Sequence, residues 1–102
     1  MEQIERIQYM EQILDEASLT MQDLTENLAS YQNLLSRIKE LACYYEGPLW
    51  MKDFEDDENH LLPENLKRGV LSQDAVYDLL CKQDELFQSM DSLIQALKNE
   101  RS

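Results

Sequence analysis

The sequence of 102 residues contains few of the residues from which active sites are built. It has two glycines, two prolines, two cysteines and a single histidine, His60. Because Gly47 and Gly69 stand alone, there is no glycine-rich loop that could hold a phosphate group. No serine or cysteine lies at a recognisable nucleophile spacing from His60. We therefore predict that the protein is not an enzyme and has no catalytic, cofactor-binding or metal-binding residues.

The two cysteines, Cys43 and Cys81, lie far apart and match no metal-ligand spacing. Reduced thiols are the simplest interpretation, as in most cytoplasmic proteins. A disulfide between the two predicted helices and a reactive thiol are the alternatives.

Basic residues are also scarce, with 9 Lys and Arg against 21 Asp and Glu and a net charge of −12. Such a surface repels phosphate backbones and anionic lipids, so we expect no direct nucleic-acid binding and no membrane attachment. A basic protein partner would be attracted. No apolar run approaches the roughly 18 residues that span a bilayer, and the N-terminus lacks the basic start of a secretion signal. The expected location is the cytoplasm.

The strongest pattern present is a row of apolar residues at alternating three- and four-residue steps, which is the pattern of heptad a and d positions. We call this row the apolar seam: Ile7, Met10, Leu14, Ala17, Met21, Leu24, Leu28, Tyr31, Leu35, Ile38, Ala42 and Tyr45. No glycine or proline interrupts it, so it predicts one helix over residues 2–45. The weak point is Ser18-Leu19-Thr20, where a break would fold the first segment back into a three-helix bundle that could be monomeric.

A turn region follows over residues 46–71. Gly47 is expected to end the first helix in the left-handed conformation, and Pro48 to begin a short helix ending near residue 59. Pro63 is expected to open a single helical turn that Gly69 closes. The apolar face of the short helix is assigned to Trp50, Met51 and Phe54.

The last helix is predicted over residues 72–100. Ser72 is a good N-cap, and Asp74 lies where the helix dipole favours negative charge. Leu71 and Val76 have the spacing of a hydrophobic staple. This helix carries an apolar stripe of its own.

These elements predict an all-α single domain over residues 1–102, a long antiparallel helical hairpin with a short helical insertion at its turn. At 1.5 Å per residue the two long helices span about 66 Å and about 43 Å, so roughly 20 Å of the first helix lacks a partner within the chain. Burying a large apolar side chain is worth roughly 1.5 to 3 kcal/mol. We therefore predict a homodimer that completes a four-helix bundle. The residues predicted to mediate self-association are Ile4, Ile7, Met10, Ile13 and Leu14.

The most specific motif lies around the turn region, where residues 44–55 read YYEGPLWMKDFE and residues 62–80 read LPENLKRGVLSQDAVYDLL. This motif resembles that of a family of small bacterial helical proteins described as domain of unknown function 4298. The likeness covers the whole chain. It implies a cytoplasmic bacterial protein with a helical fold, and it implies no catalytic residues.

Aromatic and charged side chains are mixed around the turn region, and such residues dominate the energies of protein interfaces. We predict a protein-binding surface, the turn surface, formed by Tyr44, Tyr45, Trp50, Asp53, Lys67, Arg68, Tyr77 and Asp78. The alternative is a self-contained plug, in which Trp50 closes the end of the core and Lys67 and Arg68 pair with acids. Loss of partner binding on replacing Trp50 or Arg68 by alanine, with the fold intact, would support the surface.

Residues 53–64 place acids at positions 1, 3, 5 and 12 of a calcium-loop template, but Glu58 occupies the position that requires glycine. We expect a solvated acidic face there instead of a cation site. Asp57 and His60 form one carboxylate-x-x-His pair. A helical di-metal site needs two such pairs, so this chain would need a second copy to supply the other.

The function that these patterns favour is a non-enzymatic protein–protein interaction module that self-associates through its first helix and presents the turn surface. One alternative is an acidic inhibitor that mimics nucleic acid and occupies a DNA-binding protein, with Asp53, Asp56 and Asp57 as the acids to neutralise in a test. Another is a secreted helical hairpin similar to the WXG type, although Gly47 precedes Trp50 here and reverses that order.

Overall fold

The computed structural model describes residues 2–101, and their regular structure is entirely helical. The elements in order are α1 (Gln3–Glu46), α2 (Pro48–Glu58), a short 3₁₀ helix (Gly69–Leu71) and α3 (Ala75–Arg101). The all-α prediction is confirmed. Within this part of the chain, no helix is long and apolar enough to cross a membrane. The chain divides into two compact units, the first ending at Ile38 and the second beginning at Lys39.

The first unit consists of α1 up to Ile38, and this helix is continuous through Ser18-Leu19-Thr20. Side-chain hydrogen bonds connect residues one turn apart within it. The Thr25 hydroxyl donates to the Met21 carbonyl at 2.8 Å, and Gln22 donates to Glu26 at 3.4 Å. The predicted bounds of 2–45 agree with the observed helix to one residue at each end. The break considered at Ser18 is absent, and with it the three-helix alternative.

No described residue of α1 is buried. The large side chains of the apolar seam are 41 to 67% exposed over most of the first unit, with Leu35 and Met21 at the two limits. The five residues predicted to mediate self-association are exposed as well: Ile4 (63%), Ile7 (53%), Met10 (54%), Ile13 (43%) and Leu14 (58%). In the single chain, the helix therefore presents its apolar face to solvent.

Gly47 separates α1 from α2, but not in the predicted left-handed conformation. Its φ is −93° and its ψ is 171°, which is extended backbone. The physical reason is Pro48, because the ring of a proline disfavours helical conformations in the residue before it and drives that residue to extended backbone. Glycine is suited to this position because the backbone of α1 passes close to its Cα. A Cβ at this position would lie 3.1 Å from the Cys43 carbonyl oxygen.

α2 begins at Pro48 as predicted, and its C-terminus is closed by His60. His60 has a φ of 59°, in the left-handed region. The Leu61 N–H donates to the Asp56 carbonyl at 2.9 Å, which is the bond of a Schellman motif. The predicted apolar face is correct for Trp50, which is buried, whereas Met51 is 50% exposed. Met51 is adjacent to Trp50, and successive helical positions lie about 100° apart around the axis.

The helical turn predicted from Pro63 to Arg68 does not form. The segment contains one turn, in which the Leu66 N–H donates to the Pro63 carbonyl at 3.2 Å. Arg68 explains the difference, because its guanidinium donates to the carbonyls of Pro63, Glu64 and Leu66. For Glu64 and Leu66, these bonds take the place of helical amide partners. Gly69 was expected to close this turn, and instead it begins the 3₁₀ helix.

α3 begins at Ala75, three residues later than predicted. Ser72 still acts as a cap, because its hydroxyl accepts a hydrogen bond from the Ala75 N–H at 3.1 Å. Residues 73 and 74 form a turn between them. The two residues of the predicted staple are both buried, Leu71 at 6% and Val76 at 3% exposure. Together with Trp50 they form the small buried core of the second unit.

Candidate protein-interaction site

Trp50 lies at the centre of the turn surface and is only 7% exposed. Pro48 places it in the first turn of α2. Its indole N–H donates to the Val70 carbonyl at 2.9 Å, which ties α2 to the 3₁₀ helix. The Tyr45 ring meets the indole edge-on with centroids 5.2 Å apart, and Phe54 stacks on it at the same distance. The aromatic residues therefore fix the end of α1, α2 and the 3₁₀ helix together.

The two tyrosines at the end of α1 each donate a hydrogen bond to the turn region or its flank. The Tyr44 hydroxyl donates to the Asp53 carboxylate at 2.7 Å, and the Tyr45 hydroxyl donates to the Gln73 carbonyl at 3.0 Å. Partial burial, and secondarily the hydrogen bond and negative charge of Asp53, raise the pKa of Tyr44 to about 12. Both bonds join different elements of the second unit, since the first connects α1 to α2 and the second connects α1 to the turn before α3.

Arg68 forms an ion pair with the Asp57 carboxylate and also donates to three backbone carbonyls of residues 63–66. The Asp57 side chain is 17% exposed and that of Arg68 is 37% exposed. The plug alternative expected Arg68 to pair with an acid, and Asp57 is that acid. Lys67 is exposed and has no ion pair among the described residues. Sequence spacing alone does not indicate which of the two neighbouring bases, Lys67 or Arg68, pairs with an acid.

The turn surface therefore contains two kinds of residue. Three of them are exposed, Lys67, Tyr77 and Asp78, with Tyr77 at 59%. A side-chain hydrogen bond with Cys81 one turn along α3 is the main cause that raises the pKa of Tyr77. The other five residues form the internal contacts described above: Tyr44, Tyr45, Trp50, Asp53 and Arg68.

An open groove of about 530 Å³ lies beside the Arg68 pair in the second unit. Its walls include the Phe54 ring, buried Leu71 and the carboxylates of Glu58 and Asp74. The cation on its wall, Arg68, is already bonded to a carboxylate and three carbonyls. Across residues 2–101, no group of three or more His, Cys, Asp or Glu residues has a geometry that could hold a metal ion.

Two residues that shape this site were not identified in their observed roles. The sequence spacing makes His60 half of a carboxylate-x-x-His pair, but in the structure it closes α2 in the left-handed conformation. Val70 supplies the carbonyl that accepts from Trp50. Any residue can present a backbone carbonyl, so no sequence signal marks the second role. The two cysteines are free thiols, which agrees with the simplest sequence interpretation.

The fold and this site define a small helical protein whose aromatic turn region orders the ends of its helices. The chain belongs to the family described as a domain of unknown function, DUF4298, which matches residues 7–93. That match confirms the resemblance carried by the turn motif. The comparisons with curated proteins and with solved structures gave no match.

Proposed function

We propose that this protein is a non-enzymatic helical interaction module that self-associates through the apolar seam of α1 and presents the exposed part of the turn surface to a second protein. The observation that carries the proposal is the exposure of the apolar seam, since α1 has no buried residue among those described. Monomeric proteins rarely expose a long contiguous apolar surface, and such surfaces mark interaction sites.

The energies support association along several turns of helix. Each fully buried large apolar side chain contributes roughly 1.5 to 3 kcal/mol, whereas association costs an estimated 4 to 15 kcal/mol of translational and rotational freedom. A single contact therefore cannot hold two copies together, but the five residues predicted to mediate self-association, all of them exposed, can do so when both copies bury them. α3 offers a second exposed stripe for a four-helix arrangement of two copies: Leu79, Leu86, Phe87, Leu93, Ile94 and Leu97.

Two leucines of α1 provide a matched test. Leu24 lies on the apolar seam and is 61% exposed, and Leu19 lies off the seam and is 60% exposed. Leu24→Asp should shift the solution mass toward the single chain, because a carboxylate would be buried between two copies. Leu19→Asp makes the same change in charge, and its solution mass should equal that of the parent. Light scattering on both variants measures this, and equal masses for the two variants would contradict the proposal.

The partner-binding half of the proposal rests on the exposed residues of the turn surface. Trp50 and Arg68 make internal contacts, so their alanine variants would lower stability as well as any binding. Tyr77 is 59% exposed. Tyr77→Ala is therefore the variant that tests partner binding, and it should lose a captured partner with the helical content unchanged.

The alternative of an acidic nucleic-acid mimic stays a prediction. Each of its three acids has a partner in the chain, since Asp53 accepts from Tyr44, Asp56 pairs with Lys52 at 3.1 Å and Asp57 pairs with Arg68. Because these acids make contacts within the chain, their positions are explained equally well by a structural role. The WXG-like alternative likewise stays a prediction.

A further inference from the structure

We infer that two copies pair along α1 in antiparallel orientation, with Ile7 of one copy level with Ile38 of the second copy. This inference rests on the proposed self-association and specifies its geometry. It concerns the part of α1 in the first unit, where the apolar seam is exposed over almost its whole length. Three features of that segment favour this orientation over the parallel one.

The first feature is the order of large and small residues in the apolar seam. In the antiparallel register, the residue pairs that face each other are Ile7 with Ile38, Met10 with Leu35, Leu14 with Tyr31, Ala17 with Leu28 and Met21 with Leu24. Ala17 then meets a leucine of the second copy. In a parallel, in-register pair Ala17 would face Ala17, and the small side chains would leave a gap that costs stability.

The second feature is a pair of apolar residues beside the apolar seam. Ile13 and Leu34 both occupy the g position of the heptad, and both are 43% exposed. Antiparallel helices place g residues against g residues, so Ile13 meets Leu34 of the second copy and extends the apolar contact. Parallel helices place g against e, where these residues would meet Ser18 and Lys39. Only the antiparallel pair covers both side chains with apolar groups.

The third feature is the uneven distribution of charge. Residues 2–22 carry five acids and one base, whereas residues 23–38 carry two acids and one base. A parallel pair sets the two strongly acidic segments side by side. The antiparallel pair sets each against the nearly neutral segment of the other copy, which lowers the repulsion between like charges.

Gln32 tests the orientation through charge. In the antiparallel pair it faces Glu11 of the second copy, and in the parallel pair it faces Asn27. Gln32→Lys should tighten the dimer about twofold to tenfold, and Gln32→Glu should weaken it by a similar factor, because each dimer contains the contact twice. The residues one turn away from Gln32 carry no charge: Leu28, Ala29, Leu35 and Ser36.

Asn33 supplies the matched control, because it is the neighbouring neutral amide and lies on the opposite face from the apolar seam. Asn33→Lys and Asn33→Glu change the net charge by the same amounts as the two Gln32 variants. Sedimentation equilibrium on the four variants at low salt gives their dimer dissociation constants. If the two Gln32 variants differ from each other no more than the two Asn33 variants do, the antiparallel orientation is wrong.

Disulfide trapping gives a second readout. Both native cysteines are replaced (Cys43→Ser and Cys81→Ser), and Ile13→Cys chains are unfolded and refolded together with Leu34→Cys chains. Oxidised glutathione then converts two facing thiols to a disulfide and is itself reduced to two glutathione thiols. The antiparallel pair should give the mixed disulfide from these two chains, and little crosslinking from Ala17→Cys chains refolded alone.

The outcomes separate the two claims. A dimer in which Ala17→Cys crosslinks with itself, and the mixed chains do not crosslink, overturns the orientation and leaves self-association standing. A solution mass of one chain for the cysteine-free parent, with no crosslink in any mixture, overturns both the orientation and the proposed function.

Discussion

His60 is held in a backbone conformation that few side chains adopt. Its φ is 59°, and among residues 2–101 no other non-glycine residue has a positive φ. The left-handed conformation lets the Leu61 N–H reach the Asp56 carbonyl and close α2. For residues with a Cβ it costs roughly 1 to 2 kcal/mol, and glycine avoids that cost. The cap therefore carries strain that a substitution can release.

We expect His60→Gly to raise the free energy of unfolding by about 0.5 to 1 kcal/mol. Relief of the strain stabilises the folded state, and the greater flexibility of glycine in the unfolded chain offsets part of that gain. Urea denaturation followed by the fluorescence of Trp50, the single tryptophan, measures the change. Asn59→Gly is the control, because Asn59 has a φ of −88° and gains no such relief. Equal stability of His60→Gly and the parent would show that the cap is unstrained.

Tyr44 makes stability depend on pH in the alkaline range. Burial and Asp53 raise the pKa of Tyr44 to about 12, whereas an unfolded tyrosine titrates near a pKa of about 10. The folded state thus holds the phenol proton more tightly. Its contribution to stability is complete below about pH 10 and is lost as pH rises from about 10 to 12.

We expect Tyr44→Phe to flatten the decline of unfolding free energy between about pH 10 and 12, because it removes the phenol whose pKa folding raises. Urea denaturation across this range measures the slope. Tyr9→Phe removes an exposed phenol from the first unit and serves as the control. If the stability of Tyr44→Phe declines as steeply as that of the parent, folding does not raise the pKa of Tyr44.

At the scale of elements, the connection between α2 and α3 contains only the short 3₁₀ helix as regular structure, and a few side chains order the rest of it. Arg68 bonds the Asp57 carboxylate near the end of α2 and three carbonyls of the following segment. Trp50 bonds the Val70 carbonyl in the 3₁₀ helix. The segment between the helices therefore depends on two long side chains that reach across it.

Arg68→Met should lower the free energy of unfolding of the second unit by about 1 to 3 kcal/mol, because it leaves the half-buried Asp57 carboxylate without its partner. Lys67→Met removes the adjacent, exposed base and should change stability by no more than about 0.5 kcal/mol. Denaturation curves followed by Trp50 fluorescence compare the two. Similar curves for both variants would show that the Arg68 contacts contribute nothing to stability.

The sequence predicted the elements that depend on local patterns. α1 follows from its regular apolar spacing without glycine or proline, and the start of α2 follows from Pro48. It predicted poorly what depends on a side chain reaching a distant backbone. The turn at Pro63 is set by Arg68, and the bond from Trp50 to Val70 spans 20 positions. Spacing along the chain carries no signal for either contact.

At the scale of the whole molecule, two properties act in opposite directions. A net charge of −12 opposes association between copies, and the exposed apolar seam favours it. Salt screens the repulsion between charges over a distance of about 8 Å at physiological ionic strength, and it leaves the attraction between apolar surfaces largely unchanged. The proposed self-association should therefore strengthen as salt is added, and the proposed antiparallel orientation would keep the acidic segments of the two copies apart.

The solution mass of the parent chain tests the central claim most directly. Light scattering coupled to size exclusion, over a range of protein concentrations at physiological salt, should give twice the 12.1 kDa of one chain. A mass of 12.1 kDa at every concentration would contradict the account, because the exposed face of α1 would then be stable in water without a second copy.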